Sequence, residues 1–123
     1  MSEPAKRFED LRIWQQARRL VGDVYCDFRE GAAARDFGFK DQVQRAAVSI
    51  MNNIAEGFER GTDTDFAKFL DYAKASCGEV RSMYYIAEDQ DYVSPRTAAE
   101  RRTLSLTISR GIASLAKHLR KKR

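Results

Sequence analysis

The sequence predicts an all-α protein, an up-down-up-down antiparallel four-helix bundle built as a single domain over residues 1–123. Three observations predict it. Four stretches place apolar residues at three- and four-residue steps, the spacing that gathers them on one face of a helix. No stretch sustains the alternation of a strand. The links between the stretches are short, which makes successive helices antiparallel neighbours. With 123 residues, 43% of them hydrophobic, the chain can bury one core and is too short for two ordinary domains.

The first helix is expected over about 9–28, where Leu11, Trp14, Ala17, Val21, Val24, Tyr25 and Phe28 share a face. Gly31 reads as its stop and Asp36 as the N-cap of the next. The second helix spans about 37–57. The third, over about 64–91, follows the polar loop Glu59-Arg60-Gly61-Thr62-Asp63 and carries Phe66, Phe69, Leu70, Ala73, Cys77, Val80, Tyr84 and Ala87 inward. Ser94 and Pro95 open the fourth, over about 95–119, as N-cap and first helical residue. Leu104, Ile108, Ile112, Leu115 and Leu119 form its stripe, and residues 120–123 are read as a flexible basic tail.

Composition excludes much. No apolar run approaches the roughly 20 residues of a membrane span, and residues 1–7 lack the apolar segment of a secretory signal. Cys26 and Cys77 stand alone, without a CxxC, beside a single histidine, His118, so no zinc ligand set exists. No phosphate-binding glycine loop, HExxH or GxSxG is present. Cys77 reads as a small core residue, Cys26 as a free thiol and His118 as a surface residue. The carboxylates Asp63, Asp65, Asp71 and Glu79 read as solvated charge and do not define an acid/base pair. The expectation is a reduced, cytoplasmic, non-enzymatic protein with no cofactor, no metal and no membrane partner.

Charge is distributed unevenly. The net charge is +4, but residues 93–123 hold nine Lys/Arg against one acid, a balance of +8 that leaves −4 for the first 92 residues. A solvated last helix with a Lys/Arg-rich end, favoured by the helix dipole, accounts for this without a partner. An acidic partner accounts for it too. On the wheel, Arg102, Arg110, Lys117, Arg120 and Lys121 lie opposite the Leu/Ile stripe. With Lys122 and Arg123 they are the candidate phosphate contacts for RNA or DNA.

The second helix is apolar over an arc of about 200°, twice the stripe a monomeric bundle helix needs. Val48, Met51 and Ala55 form its second apolar side and are read as a self-assembly surface. The remaining arc holds Gln42, Arg45, Ser49, Asn53 and Glu56. This polar stripe is open to three readings: solvated surface, a hydrogen-bonded network fixing helix register, or the lining of a ligand site.

The run Gln42-x-x-Arg45-Ala46-Ala47-x-Ser49-Ile50-x-x-Asn53-Ile54-Ala55-Glu56-Gly57 resembles the signature of the 23S rRNA-intervening-sequence family of four-helix bundles. Phe8-x-Asp10-Leu11-x-Ile13-Trp14-Gln15-x-Ala17 resembles the family's opening, and Phe66-x-x-Phe69-Leu70-x-x-Ala73-x-x-Ser76-x-x-Glu79-Val80 its third helix. The resemblance covers about residues 8–90, in order. It departs at Phe37-Gly38-Phe39-Lys40-Asp41, where many members have a proline and a leucine. It implies an antiparallel bundle assembling as a homopentamer. The family name records insertions in ribosomal RNA genes, and no activity. A related branch, the accessory subunit of diversity-generating retroelements, contacts a reverse transcriptase as a basic pentamer. Ser76 and Glu79 join the motif residues by this resemblance. The partners expected are further copies of the chain, RNA or DNA through phosphate, and an unidentified protein. The leading expectation is a nucleic-acid-associated assembly protein, and the alternative is a protein-interaction scaffold.

Overall fold

The computed structural model describes residues 4–122, and every described element is helical. A 3-10 turn at Phe8–Asp10 precedes α1 (Arg12–Asp27), the short α2 (Gly31–Arg35), α3 (Phe37–Glu59), α4 (Asp63–Asp89) and α5 (Pro95–Lys121). The four long helices are those expected, with α3 standing as the second. The short α2 occupies a link that reads as irregular in the sequence. Gly31, read as a helix stop, begins it with φ +77°, a left-handed conformation that glycine adopts without strain.

Local chemistry sets the boundaries. The Asp36 carboxylate accepts from the Phe39 N–H at 3.2 Å, which caps α3. Thr62 caps α4 through the Asp65 N–H at 3.1 Å, and Ser94 caps α5 through the Thr97 N–H at 3.0 Å, with Pro95 at the first position. At the end of α4, Asp91 takes φ 58°. The Tyr92 N–H then reaches the Ala87 carbonyl and the Asp91 N–H the Glu88 carbonyl, a Schellman pairing with Asp where Gly is usual.

The core is one cluster drawn from all four long helices, including Leu20, Phe28, Ile50, Ile54, Leu70, Tyr84, Ile108 and Ile112, each essentially inaccessible to water. α3 packs between α1 and α4, and α5 between α4 and α1. Two stripes are rotated from the expected ones. On α1 the buried line is Ile13, Ala17, Leu20 and Val24, while Tyr25 is exposed. On α5 it passes through Ser105 and Ala116, leaving Leu104 and Leu115 at the margin. In both cases large apolar residues flank a buried line that includes small ones, Ala17 on α1 and Ala98, Ser105 and Ala116 on α5.

The wide apolar arc of α3 is used within the chain in part. Met51 packs against the core, and Val48 and Ala55 are half-buried. A helix with a neighbour on each flank needs apolar residues toward both. Met51 is thus accounted for within the chain, while Val48 and Ala55 stand at its surface margin.

Candidate nucleic-acid interface

Residues from α4 and α5 line a groove along the seam between these two helices. Its floor is small: Gly78 on α4, and Ser105, Ser109, Ala113 and Ala116 on α5. Its rim is cationic. An open cavity of about 540 Å³ is lined by Lys74 of α4 and by Lys117, Arg120 and Lys121 of α5. A smaller one of about 90 Å³ continues from Lys74 to Arg81. Lys74 borders both, so the two form one run.

The electrostatics of the floor are consistent with this placement. The buried Cys77 thiol is pushed up to about 12 by desolvation, against the pull of Lys74 and Arg81. Both cations thus project their field onto the groove floor. Among the described residues, only Asp71 brings a carboxylate to the lining. It accepts two bonds from Arg120, at 2.6 and 3.3 Å, and raises that guanidinium's proton affinity. Lys74, Arg81, Lys117 and Lys121 make no ion pair among the described residues.

The expected phosphate contacts do not all meet here. Lys117, Arg120 and Lys121 do. Arg110 is exposed on α5 and does not line the groove. Lys122 reaches back to Asp63 at 3.3 Å, and with the Arg120–Asp71 pair this ties the end of α5 to α4. Arg120 and Lys121 are accordingly helical and not part of a free tail. Arg102 does not face outward as expected. Its side chain is only 17% exposed, bonded to Glu88 at 2.9 Å and stacked on Tyr85. Arg123 lies outside the described residues.

The polar stripe of α3 meets α4. Ser76 Oγ donates to Ser49 Oγ at 3.0 Å, and Gln42 donates to Glu79 at 3.3 Å. Asn53 donates to the Ser49 carbonyl and hydroxyl, both at 2.9 Å, and Arg45 pairs with Asp41 at 2.8 Å along the same helix. Arg45, Ser49, Asn53 and Glu56 also border a shallow surface cavity of about 510 Å³ that takes in Tyr25. Of the three readings, the hydrogen-bonded register between helices has direct contacts behind it.

The family model for 23S rRNA-intervening sequence proteins matches residues 9–114. The chain belongs to this family. A solved relative of like fold is a protein of unknown function from the S23 ribosomal protein family of Bacteroides thetaiotaomicron. It is 19% identical, with a TM-score of 0.77 over 85% of this chain and 95% of that one. No curated protein matches the chain. For this 23S rRNA-intervening sequence protein, no helix among the described residues is long and apolar enough to cross a membrane. Among the same residues no group of three or more His, Cys, Asp or Glu could hold a metal ion.

Lys74 and Arg81 lie in the net-acidic part of the chain, where a charge balance by segment hides them. A signal was available. They are seven residues apart, hence on one face of α4, with Gly78 between them.

Proposed function

We propose that this family member is a non-enzymatic, cytoplasmic assembly protein that binds nucleic acid through its phosphates in the α4/α5 groove. The observation that carries the reading is the run of Lys74, Arg81, Lys117 and Lys121, contributed by two helices along one small-residue seam without ion-pair partners among the described residues. Lysines and arginines lining a groove with few hydrogen-bonding acceptors suit a phosphate chain better than a base edge, so binding is weakly sequence-dependent and steeply salt-dependent.

The topology behind the groove is up-down-up-down. It is supported by contacts whose residue numbers rise on one helix as they fall on the next. Gln42 meets Glu79 and Ser49 meets Ser76; Asp71 meets Arg120 and Glu88 meets Arg102. The protein assembles as a homo-oligomer, a pentamer by its family resemblance. Five copies with +4 each present +20 around the particle. Val48 and Ala55 at the edge of α3, together with exposed Tyr72 and Ile86 on α4, are the apolar residues available for self-contact.

Fluorescence anisotropy with labelled RNA and DNA, repeated over a salt series, tests the reading. The expected result is log affinity falling linearly with log salt. No binding even at low salt overturns it. A second reading, a protein-interaction scaffold without direct nucleic-acid contact, is favoured by Phe37, which is 74% exposed at the start of α3. Under that reading the native mass exceeds that of a monomer while nucleic acid leaves it unchanged.

A further inference from the structure

One helical turn beyond Arg81, the last residue of α4 to line the groove, stands a tyrosine in an unusual setting. Tyr85 is 56% exposed, yet the Arg102 guanidinium lies 4.1 Å from its ring centroid. Arg102 is itself held, donating to the Glu88 carboxylate at 2.9 Å and to the Tyr84 carbonyl at 3.4 Å. One side of the ring is therefore backed by a fixed cation while more than half of the residue remains open to solvent. The conformational freedom that an exposed tyrosine usually loses on binding is already reduced here.

We propose that Tyr85 is a base-stacking platform at one end of the groove, and that the nucleic acid taken there is single-stranded. The inference rests on the nucleic-acid reading above and narrows it. A duplex keeps its bases stacked on one another and offers phosphates only. A single strand can lay a base on an aromatic ring while its backbone follows a cationic track. Charge also gives the strand a direction. Past Tyr85 come Glu88, already paired with Arg102, and Asp89, an exposed carboxylate that repels phosphate. On the other side come Arg81 and then Lys74, about 16 Å along α4 from Tyr85. The backbone runs that way, toward Lys117 and Lys121.

The test uses the full chain with single-stranded RNA and DNA carrying 2-aminopurine, whose fluorescence falls when it stacks, and with the duplex of the same sequence. Wild type is expected to quench both single strands, since the ring meets the base and not the sugar. Y85A is expected to bind single strands about tenfold more weakly, to lose the quench and to bind duplex unchanged. Y85F, which keeps the ring, is expected to retain both affinity and quench. Salt-dependent binding by wild type without a quench, or single-strand affinity and quench unaltered in Y85A, overturns the platform and leaves the groove standing. Absence of binding to every strand at low salt overturns the groove and the platform together.

Discussion

The Asp27 carboxylate joins three helices: it accepts from Tyr84 of α4 at 2.7 Å and from Arg101 of α5 at 2.7 and 2.9 Å. Its side chain is 8% exposed, so removing its charge leaves Arg101 without its main counter-ion in a poorly hydrated place. Asp27→Asn is expected to cost about 3 kcal/mol, read as a lower urea midpoint. Nothing in the sequence singles out Asp27, because which acid a buried arginine meets depends on helix rotation. Cys77 was legible, since it lies on an unbroken apolar stripe. Its thiol is raised from an ordinary 9.0 to about 12 by burial. A raised value means that folding is fully favoured below pH about 9. Above it the unfolded thiol ionises while the folded one does not. Stability should then fall progressively as the pH rises from about 9 toward about 12. Tyr84, also pushed up by burial and by Asp27, adds to the fall at the alkaline end. Cys77→Ala is expected to remove the earlier onset in urea unfolding followed from about pH 8 to about pH 11.

Helix packing decides the effect of identical changes at different glycines. A Cβ at Gly57 of α3 would lie 2.7 Å from Phe69 Cβ and 3.3 Å from the Phe66 carbonyl oxygen, backbone-anchored atoms that cannot swing aside. A Cβ at Gly22 of α1 would meet nothing within 4 Å. Gly57→Ala is therefore expected to destabilise by about 1–3 kcal/mol, and Gly22→Ala to stabilise by about 0.5–1 kcal/mol through helix propensity, both measured by urea unfolding. The contrast locates the α3–α4 crossing. At this scale the sequence was most informative at capped ends: Asp36, Ser94 and Pro95 start helices where their chemistry predicts. It was least informative about rotation. The margins of α1 and α5 carry large side chains, so the buried line is displaced from the stripe that periodicity predicts.

Across the whole molecule, charge by segment and charge by place differ. The last helix is basic in sequence, but Arg102, Arg120 and Lys122 are engaged by Glu88, Asp71 and Asp63 of α4. Among the described residues, the cations left without ion pairs along the seam include Lys74 and Arg81 from α4 itself. The bundle was legible from periodicity and link length. The groove was not, because it exists only where α4 lies against α5, and pairing of helix faces is a property of the folded chain. The most direct measurement is the salt dependence of binding to one single-stranded RNA by wild type and by a variant with Lys74, Arg81, Lys117 and Lys121 all changed to Gln. Each phosphate contact adds about 0.7 to the slope of log affinity against log salt for a single strand, so the variant's slope should be shallower by about 3. Equal slopes and equal affinities for the two proteins would contradict the groove as the binding face.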